Sequence, residues 1–487
     1  MSAPGGPAAY ETVIGLEVHV QLDTASKMFC GCAVAFGAPP NTLTCPVCLG
    51  LPGSLPVLNR RVVDLGLRTA VVLGCRVHPE SRFHRKNYYY PDIPKNYQIS
   101  QYEYAGHPPL ATHGALELAF GGTARRVGIR RVHLEEDTGK LVHAAGRSLV
   151  DYNRSGTPLM EVVTDPDLRS PAEARLFLTR LRAVLQYAGV TTGRMEEGTL
   201  RCDANLSLRR SGAPYGTRTE IKNMNSLRAV ERALRTEEAR QRGLLDRGEP
   251  VVQETRHWDE DRGVTFASRE KEEAHDYRYF PEPDLLPVRV DAPWLERVRA
   301  DLPEMPDARR RRYVEAYGLP DHEAGLLVET RALAEFFEET VRRHPQPRLA
   351  ANWIVGEVAA YLNTQGLEID GTALTAAALA ELLDLIERGT LNGPSAKGVL
   401  EEMLREGKRA ADIVRARGLV QISDEAELLG LVDRVIAGHP GPVGDLRAGK
   451  ERALQFLIGQ VMKETRGRAN PAVVNRLLRD RIGASGG

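Results

Sequence analysis

The 487-residue chain has few aromatic residues (6%), six cysteines, no stretch of 18 uninterrupted apolar residues and no net charge, its 65 basic residues being matched by 65 acidic ones. Without a long apolar run, no membrane span is expected. Charge balance argues against a protein wrapped in nucleic acid by charge alone, although it leaves room for one local basic patch. So few cysteines in so long a chain, with no basic-then-apolar leader, point away from a disulfide framework and towards a reducing, cytoplasmic setting. The first nine residues, rich in Gly, Pro and Ala, read as a flexible tail rather than a signal peptide. The length suits roughly two to four domains, each able to bury a core.

The pattern changes near residue 290. Before it, short β-like runs alternate with Gly, Pro and Asn turns, with helical stretches around 171–188 and 226–243. After it, apolar residues such as Leu326, Leu327, Leu333, Phe336, Phe337 and Val341 recur at helical spacing, as they do from Ala373 to Ile386. Pro-rich breaks fall at 281–287 and 303–306, and another runs from Gly438 to Gly444. The expected architecture is an α+β domain over 10–290, an all-helical domain over 291–405 and a small helical tail over 406–487. From Gly441 onward nine basic residues, Arg466 and Arg468 among them, face four acidic ones, as in a module that touches phosphate. A solvated helical surface is the plainer reading of the same charges.

Within the first domain, six acidic or imidazole side chains stand out: Glu17, His19, Glu135, Glu136, Glu161 and Asp203. Around the first two, Ile14, Leu16, Val18, Val20 and Leu22 alternate with Glu17, His19 and Gln21, so a strand here turns its polar residues away from the core. Cys202, Ala204, Leu206 and Leu208 alternate in the same way with Arg201, Asp203, Asn205 and Ser207. Glu161 interrupts the apolar run Leu159-Met160-Glu161-Val162-Val163, and a buried charge needs a partner or a metal. A face of carboxylates and imidazole suits hard cations such as Mg²⁺ and, through them, nucleotide phosphates. Ordinary solvated strand faces are the competing reading.

Cys30-Gly31-Cys32 and Cys45-Pro46-Val47-Cys48, twelve residues apart, offer four thiolates to one tetrahedral zinc in an insert over 28–50. Such a site is closed and therefore structural; buried or redox thiols are the alternative. Cys75 and Cys202 read as core residues, and Cys202 lies on the wrong side of its strand for a nucleophile. The run Arg82 to Asp92 packs cations among three tyrosines, Tyr88, Tyr89 and Tyr90, which suits a nucleotide or an RNA end, with Lys86 as a phosphate contact. Thr217 to Asn223 alternates again, with Arg218, Glu220 and Lys222 on its polar face. Gly444 to Lys450 imitates the start of a P-loop but meets Glu451 where Ser or Thr is needed and follows no strand, so it is rejected. His133 and His143 read as hydrogen-bonded structural histidines.

Taken together, Ile14 to Val20, the four cysteines, Arg85-Lys86-Asn87-Tyr88, His133 to Asp137, Asp151 to Leu159, Arg201 to Asn205, Glu272 to Pro281, Gly459 to Lys463 and Ala469-Asn470-Pro471 closely resemble the B subunits of bacterial aspartyl/glutamyl-tRNA amidotransferases. The resemblance implies a cradle domain similar to the glutamine synthetase catalytic core, followed by the helical domain and a tRNA-binding tail. It implies ATP-dependent phosphorylation of the side-chain carboxylate of Glu on tRNA(Gln) or Asp on tRNA(Asn), then amidation by ammonia. The ammonia would come from a separate glutamine-hydrolysing amidase (glutaminase) partner, held by a small third member of the complex, with the cognate synthetase as a possible further partner. By resemblance, Glu17, His19, Glu135, Glu136, Glu161 and Asp203 match magnesium and substrate residues, with Glu17, His19, Lys86, Glu136 and Asp203 catalytic. Lys86, Tyr88 and Asn205 would bind substrate, and Cys30, Cys32, Cys45 and Cys48 match a structural zinc site. A free-standing amide ligase acting on a small acid, or a zinc-stabilised RNA-binding scaffold, are the alternatives.

Overall fold

The computed structural model describes residues 10–484 apart from 104–105, 121–122, 145, 268–276, 420–424 and 466–468. The expected N-terminal tail over 1–9, the motif from Glu272 to Asp276, and Arg466 and Arg468 therefore lie outside the described residues. Two compact units emerge, Met1–Pro306 and Asp307–Gly487.

The first unit is α+β. Its strands are β1 (Tyr10–Gln21), β2 (Arg76–Val77), β3 (Glu80–Ser81), β4 (Phe83–Asn87), β5 (Tyr97–Gln101), β6 (Ala111–Phe120), β7 (Thr123–Glu136), β8 (Lys140–Ala144), β9 (Arg147–Asp151), β10 (Pro158–Thr164), β11 (Leu200–Arg210), β12 (Thr219–Lys222), β13 (Thr255–Asp259), β14 (Val264–Ala267), β15 (Phe280–Pro281) and β16 (Val288–Arg289). Twelve of them form one large sheet, in the order β14-β13-β12-β11-β1-β10-β7-β5-β4-β15, with β6 beside β7 and β2 beside β6. Pairing is antiparallel except between β12 and β13, which makes the sheet mixed.

Alternation decides the faces. Ile14, Leu16, Val18 and Val20 of β1 are fully buried, as are Cys202, Ala204 and Leu206 of β11 and Val132 and Leu134 of β7. These residues merge with the apolar sides of α1 (Arg60–Val72), α2 (Pro171–Tyr187) and α3 (Leu227–Asp246) into one core. The helices start where the sequence supplies caps. Ser170 accepts a hydrogen bond from the Glu173 amide with Pro171 at the first helical position, and Ser226 accepts one from the Ala229 amide. Burying Phe177, Leu178, Leu181 and Leu185 on one side of α2 contributes about 2 kcal/mol per side chain before entropy is counted. With helices confined to the apolar face, the opposite face of the sheet keeps its polar residues.

Beyond α4 (Ala292–Ala300) the chain is helical, as its composition suggested. The second unit holds α5 (Pro306–Tyr317), α6 (Asp321–Leu327), α7 (Arg331–Arg343), α8 (Pro347–Trp353), α9 (Ala359–Gln365), α10 (Ala376–Glu387), α11 (Gly393–Glu406) and α12 (Ala410–Arg417). Then come α13 (Glu425–Gly438), α14 (Pro440–Arg447), α15 (Glu451–Glu464) and α16 (Pro471–Ala484). The last four pack round their own core of Leu428, Val432, Val443, Leu454, Leu457, Val461 and Leu478. The break expected from Gly438 to Gly444 shrinks to His439, because Pro440 takes the first helical position, where a missing amide hydrogen costs nothing. The P-loop-like segment is the end of this helix, and Lys450 binds Asp445 at 2.9 Å. Among the described residues, no helix is long and apolar enough to cross a membrane.

Candidate functional site

Register carries the polar face across the sheet. Glu17 stands opposite Asp203 on one neighbouring strand, and His19 stands opposite Glu161 on the other. Glu161 in turn faces His133 of β7, and Glu135, two residues further on, faces Ser100 of β5. Side chains from residues 17 to 222 thereby share one surface, as alternation requires.

The centre of that surface is compact. His19 Nε2 lies 3.7 Å from a Glu135 oxygen and 3.6 Å from Glu161. His133 Nε2 lies 3.2 Å from Glu161 and 3.6 Å from Glu135. One donor atom each from His19, Glu135 and Glu161 fall within 4.8 Å of one another, a spacing that can hold a cation. Burial pulls the His133 imidazole down, but the Glu161 charge and its carboxylate hydrogen bonds outweigh that and hold it up at about 9. Burial pushes Glu161 up, yet His133, His19 and Arg131 keep it well below the usual carboxylate range. Glu17 goes the other way: burial raises it, and the charges of Glu161, Glu220 and Asp203 raise it further. Five carboxylates thus crowd a face whose cations do not suffice for all of them, which is the environment that favours a bound metal.

Around this centre Asn205 donates to Glu17 at 3.2 Å, and Lys222 pairs with Asp203 and, at 2.9 Å, with Glu220. The alternating run at 217–223 therefore does border the surface. Lys86 lies on β4, its ammonium 5.0 Å from the centre of the Tyr277 ring, and the Tyr88 ring meets Tyr277 edge-on at 6.1 Å. Tyr89 and Tyr90 stay exposed. Glu136 alone turns from the other five. Its odd-even position on β7 sends it to the reverse side, where it pairs with Lys95 and accepts from the Ile99 amide at 2.9 Å.

The four cysteines gather with their sulfurs within 4.8 Å of one another, and none is in a disulfide. Against them sits Lys27, fully buried, its ammonium 3.6 Å from Cys48 Sγ and 3.4 Å from the Tyr152 carbonyl. A buried lysine needs negative charge beside it, and a zinc tetrathiolate, carrying two negative charges, supplies it. A hydrogen bond from Cys30 outweighs burial and, with Lys27, draws the Cys48 thiol down to about 4. The thiol set and its counter-charge fit zinc.

Several groups carry no sequence signal strong enough to single them out. His133 reads as an ordinary structural histidine, although its place two residues from Glu135 on a strand already puts both on one face. Arg201 crosses to Asp137 at 2.6 Å, a pair that only the register brings together. Lys95 and Lys222 are invisible as partners for the same reason. His143 does behave as expected, bonding Ser148 at 3.0 Å on the β8–β9 hairpin. Cys202 is buried on the apolar side.

Residues 12–296 match the GatB/GatE catalytic domain family, and residues 335–482 match the GatB domain. The chain is 57% identical to the B subunit of the aspartyl/glutamyl-tRNA(Asn/Gln) amidotransferase of Moorella thermoacetica, over 97% of this chain and 100% of the relative. It is 54% identical to the proteins of the same name from Carboxydothermus hydrogenoformans and Thermomicrobium roseum, over 97% of this chain and 99% of each.

Proposed function

Because this chain belongs to the family of aspartyl/glutamyl-tRNA(Asn/Gln) amidotransferase B subunits, we propose that the polar face of its large sheet is where the amide is made. The protein is a ligase component of tRNA-dependent transamidation. In the reading proposed here, the side-chain carboxylate of a misacylated Glu-tRNA(Gln) or Asp-tRNA(Asn) attacks the γ-phosphorus of ATP, releasing ADP and leaving an acyl phosphate. Ammonia then adds to the acyl carbon, loses a proton and expels inorganic phosphate.

Glu17, His19, Glu135, Glu161 and Asp203 are the residues that would hold Mg²⁺. The bound ion would supply charge neutralisation between an anionic nucleophile and an anionic phosphate. Lys86 offers a compact positive charge to a phosphate oxygen, and Tyr88 and Asn205 orient the aminoacyl end. Glu136 serves from the reverse side, anchoring β5 through the Ile99 amide and balancing Lys95. The first domain would be a cradle over 10–290 with a glutamine-synthetase-like fold, steadied by zinc on Cys30, Cys32, Cys45 and Cys48. The helical domain over 291–405 and the tail over 406–487 would follow, with the basic tail touching tRNA. Four of its basic residues are committed internally, Lys450 to Asp445, Arg476 to Glu425, Arg479 to Glu451 and Arg481 to Asp433. Ammonia would reach the face from the amidase partner, clamped in place by the small third protein of the complex, in the cytoplasm, with the synthetase as a further partner.

The observation that carries this reading is the convergence of His19, Glu135 and Glu161 from three strands. Its test is reconstitution with the partner proteins, ATP, glutamine and each misacylated tRNA. Glu161→Gln should bind tRNA normally and lose the ATP cleavage that depends on misacylated tRNA. Full turnover by that variant would overturn the assignment.

A further inference from the structure

His344 closes α7 and folds under α10, where it is 1% exposed. Its Nδ1 lies 2.6 Å from an Asp384 oxygen. A carboxylate accepts, so Nδ1 carries a proton and Nε2 is the ring atom left to find a partner. That Nε2 is buried and has no hydrogen-bond partner. It faces the Glu387 carboxylate at 3.9 Å, too far for a hydrogen bond. A buried ring nitrogen looking at a carboxylate is costly unless something positive, a proton or a metal ion, stands between them. Two ligands each about 2.0–2.2 Å from one tetrahedral zinc lie roughly 3.4 Å apart, so the ion needs the pair to close by only about half an ångström.

We propose that His344 Nε2 and Glu387 form a second divalent transition-metal site, of nitrogen-and-oxygen type, in the helical unit. Asp384 acts through the imidazole rather than on the ion, holding the ring orientation and raising its basicity, as carboxylates behind metal-bound histidines do. Asp384 and Glu387 are three residues apart on α10 and so share a helix face. Gln346 donates to the other Glu387 oxygen at 3.1 Å and steadies it. Glu387 is half-exposed, so water reaches the outer side of the site and can complete the coordination. The site is independent of the transamidation chemistry and of the four cysteines.

Equilibrium dialysis of the full chain against zinc tests it, with metal content measured per chain. Wild type should hold one zinc more than His344→Ala or Glu387→Gln. Asp384→Asn, which keeps an acceptor for Nδ1–H but drops the charge, should weaken that ion roughly tenfold. With Co²⁺ the same variants should lose weak visible absorption while the intense thiolate-to-metal band stays. Glu387 is half-exposed, so its variant folds even where His344→Ala fails. Equal zinc content and affinity in wild type and Glu387→Gln would leave His344 as a protonated ion-pair partner and overturn the site.

Discussion

The cysteine knuckle and the carboxylate face are both built to hold cations, and they are built in opposite ways. The knuckle takes its four ligands from 19 consecutive positions, Cys30 to Cys48, closes them on one another and buries a counter-charge, Lys27, beside them. The face takes His19, Glu135 and Glu161 from strands scattered over more than a hundred residues of the chain, with both carboxylates buried and His19 partly exposed. A closed, locally assembled set with its charge compensated stabilises a fold. A set assembled by register, with surplus negative charge, is poised for a ligand that comes and goes. Stability and activity should therefore respond separately to changes in the two places.

The largest expected effect breaks that separation if it fails. Glu161→Gln should lower transamidation by at least about a thousandfold, since it removes a charge that acts on the reacting phosphate. Its thermal midpoint should fall as well, because His133 loses a buried carboxylate partner, but by far less than would account for the lost activity, which calorimetry and activity per folded molecule on the same preparation would check. Next comes Cys45→Ser, which should cost roughly 3 kcal/mol of stability and release zinc, read by denaturant unfolding and metal analysis. Any residual activity should be normal per folded molecule. Lys27→Met is smaller and sharper. It should weaken zinc binding by about 10- to 100-fold in competition with a chromophoric chelator, because the tetrathiolate loses its buried cation. Unchanged affinity would mean that Lys27 is held by Tyr152 alone.

What the sequence makes legible follows the same division. Local features are readable: the cysteine spacing, the alternation of β1 and β11, the helical stretches around 171–188 and 226–243 and the switch to helix after 290. Period-2 alternation fixes which face a residue takes, but not which strand lies next to it. So Glu17 and His19 can be placed on a polar face from sequence, while the Glu17–Asp203 and His19–Glu161 pairings cannot. Glu136 shows the cost of reading a motif without its parity. As neighbours, Glu135 and Glu136 look alike, yet the strand sends them to opposite sides. His133 is legible in principle by that same parity. Lys95, Arg201 and Lys222 are not, because each meets its partner only after separate strands or loops are aligned.

The smallest effect probes the ground between the two regions. Asp137 follows β7, and its amide donates at 2.8 Å to the carbonyl of Thr157, beside the loop whose Tyr152 and Ser155 touch the knuckle, Ser155 donating to the Cys48 carbonyl at 3.3 Å. Burial pushes the Asp137 carboxyl up, but the Arg201 and Arg154 charges outweigh it and hold it below the usual aspartate range. A carboxyl lowered in the fold contributes stability that is fully present above its unfolded value, near about 3.9, and is lost as the pH falls through the folded one. Asp137→Asn should therefore cost about 1 kcal/mol at neutral pH, discounted because Arg201 is partly exposed to solvent. The gap from wild type should narrow below about pH 4, where the unfolded carboxyl takes up its proton while the native one still resists it. Denaturant midpoints across about pH 3–7 would show it. A gap that persists unchanged to the acid end of that range would mean that Asp137 works by shape and hydrogen bonding, with its charge irrelevant to joining face and knuckle.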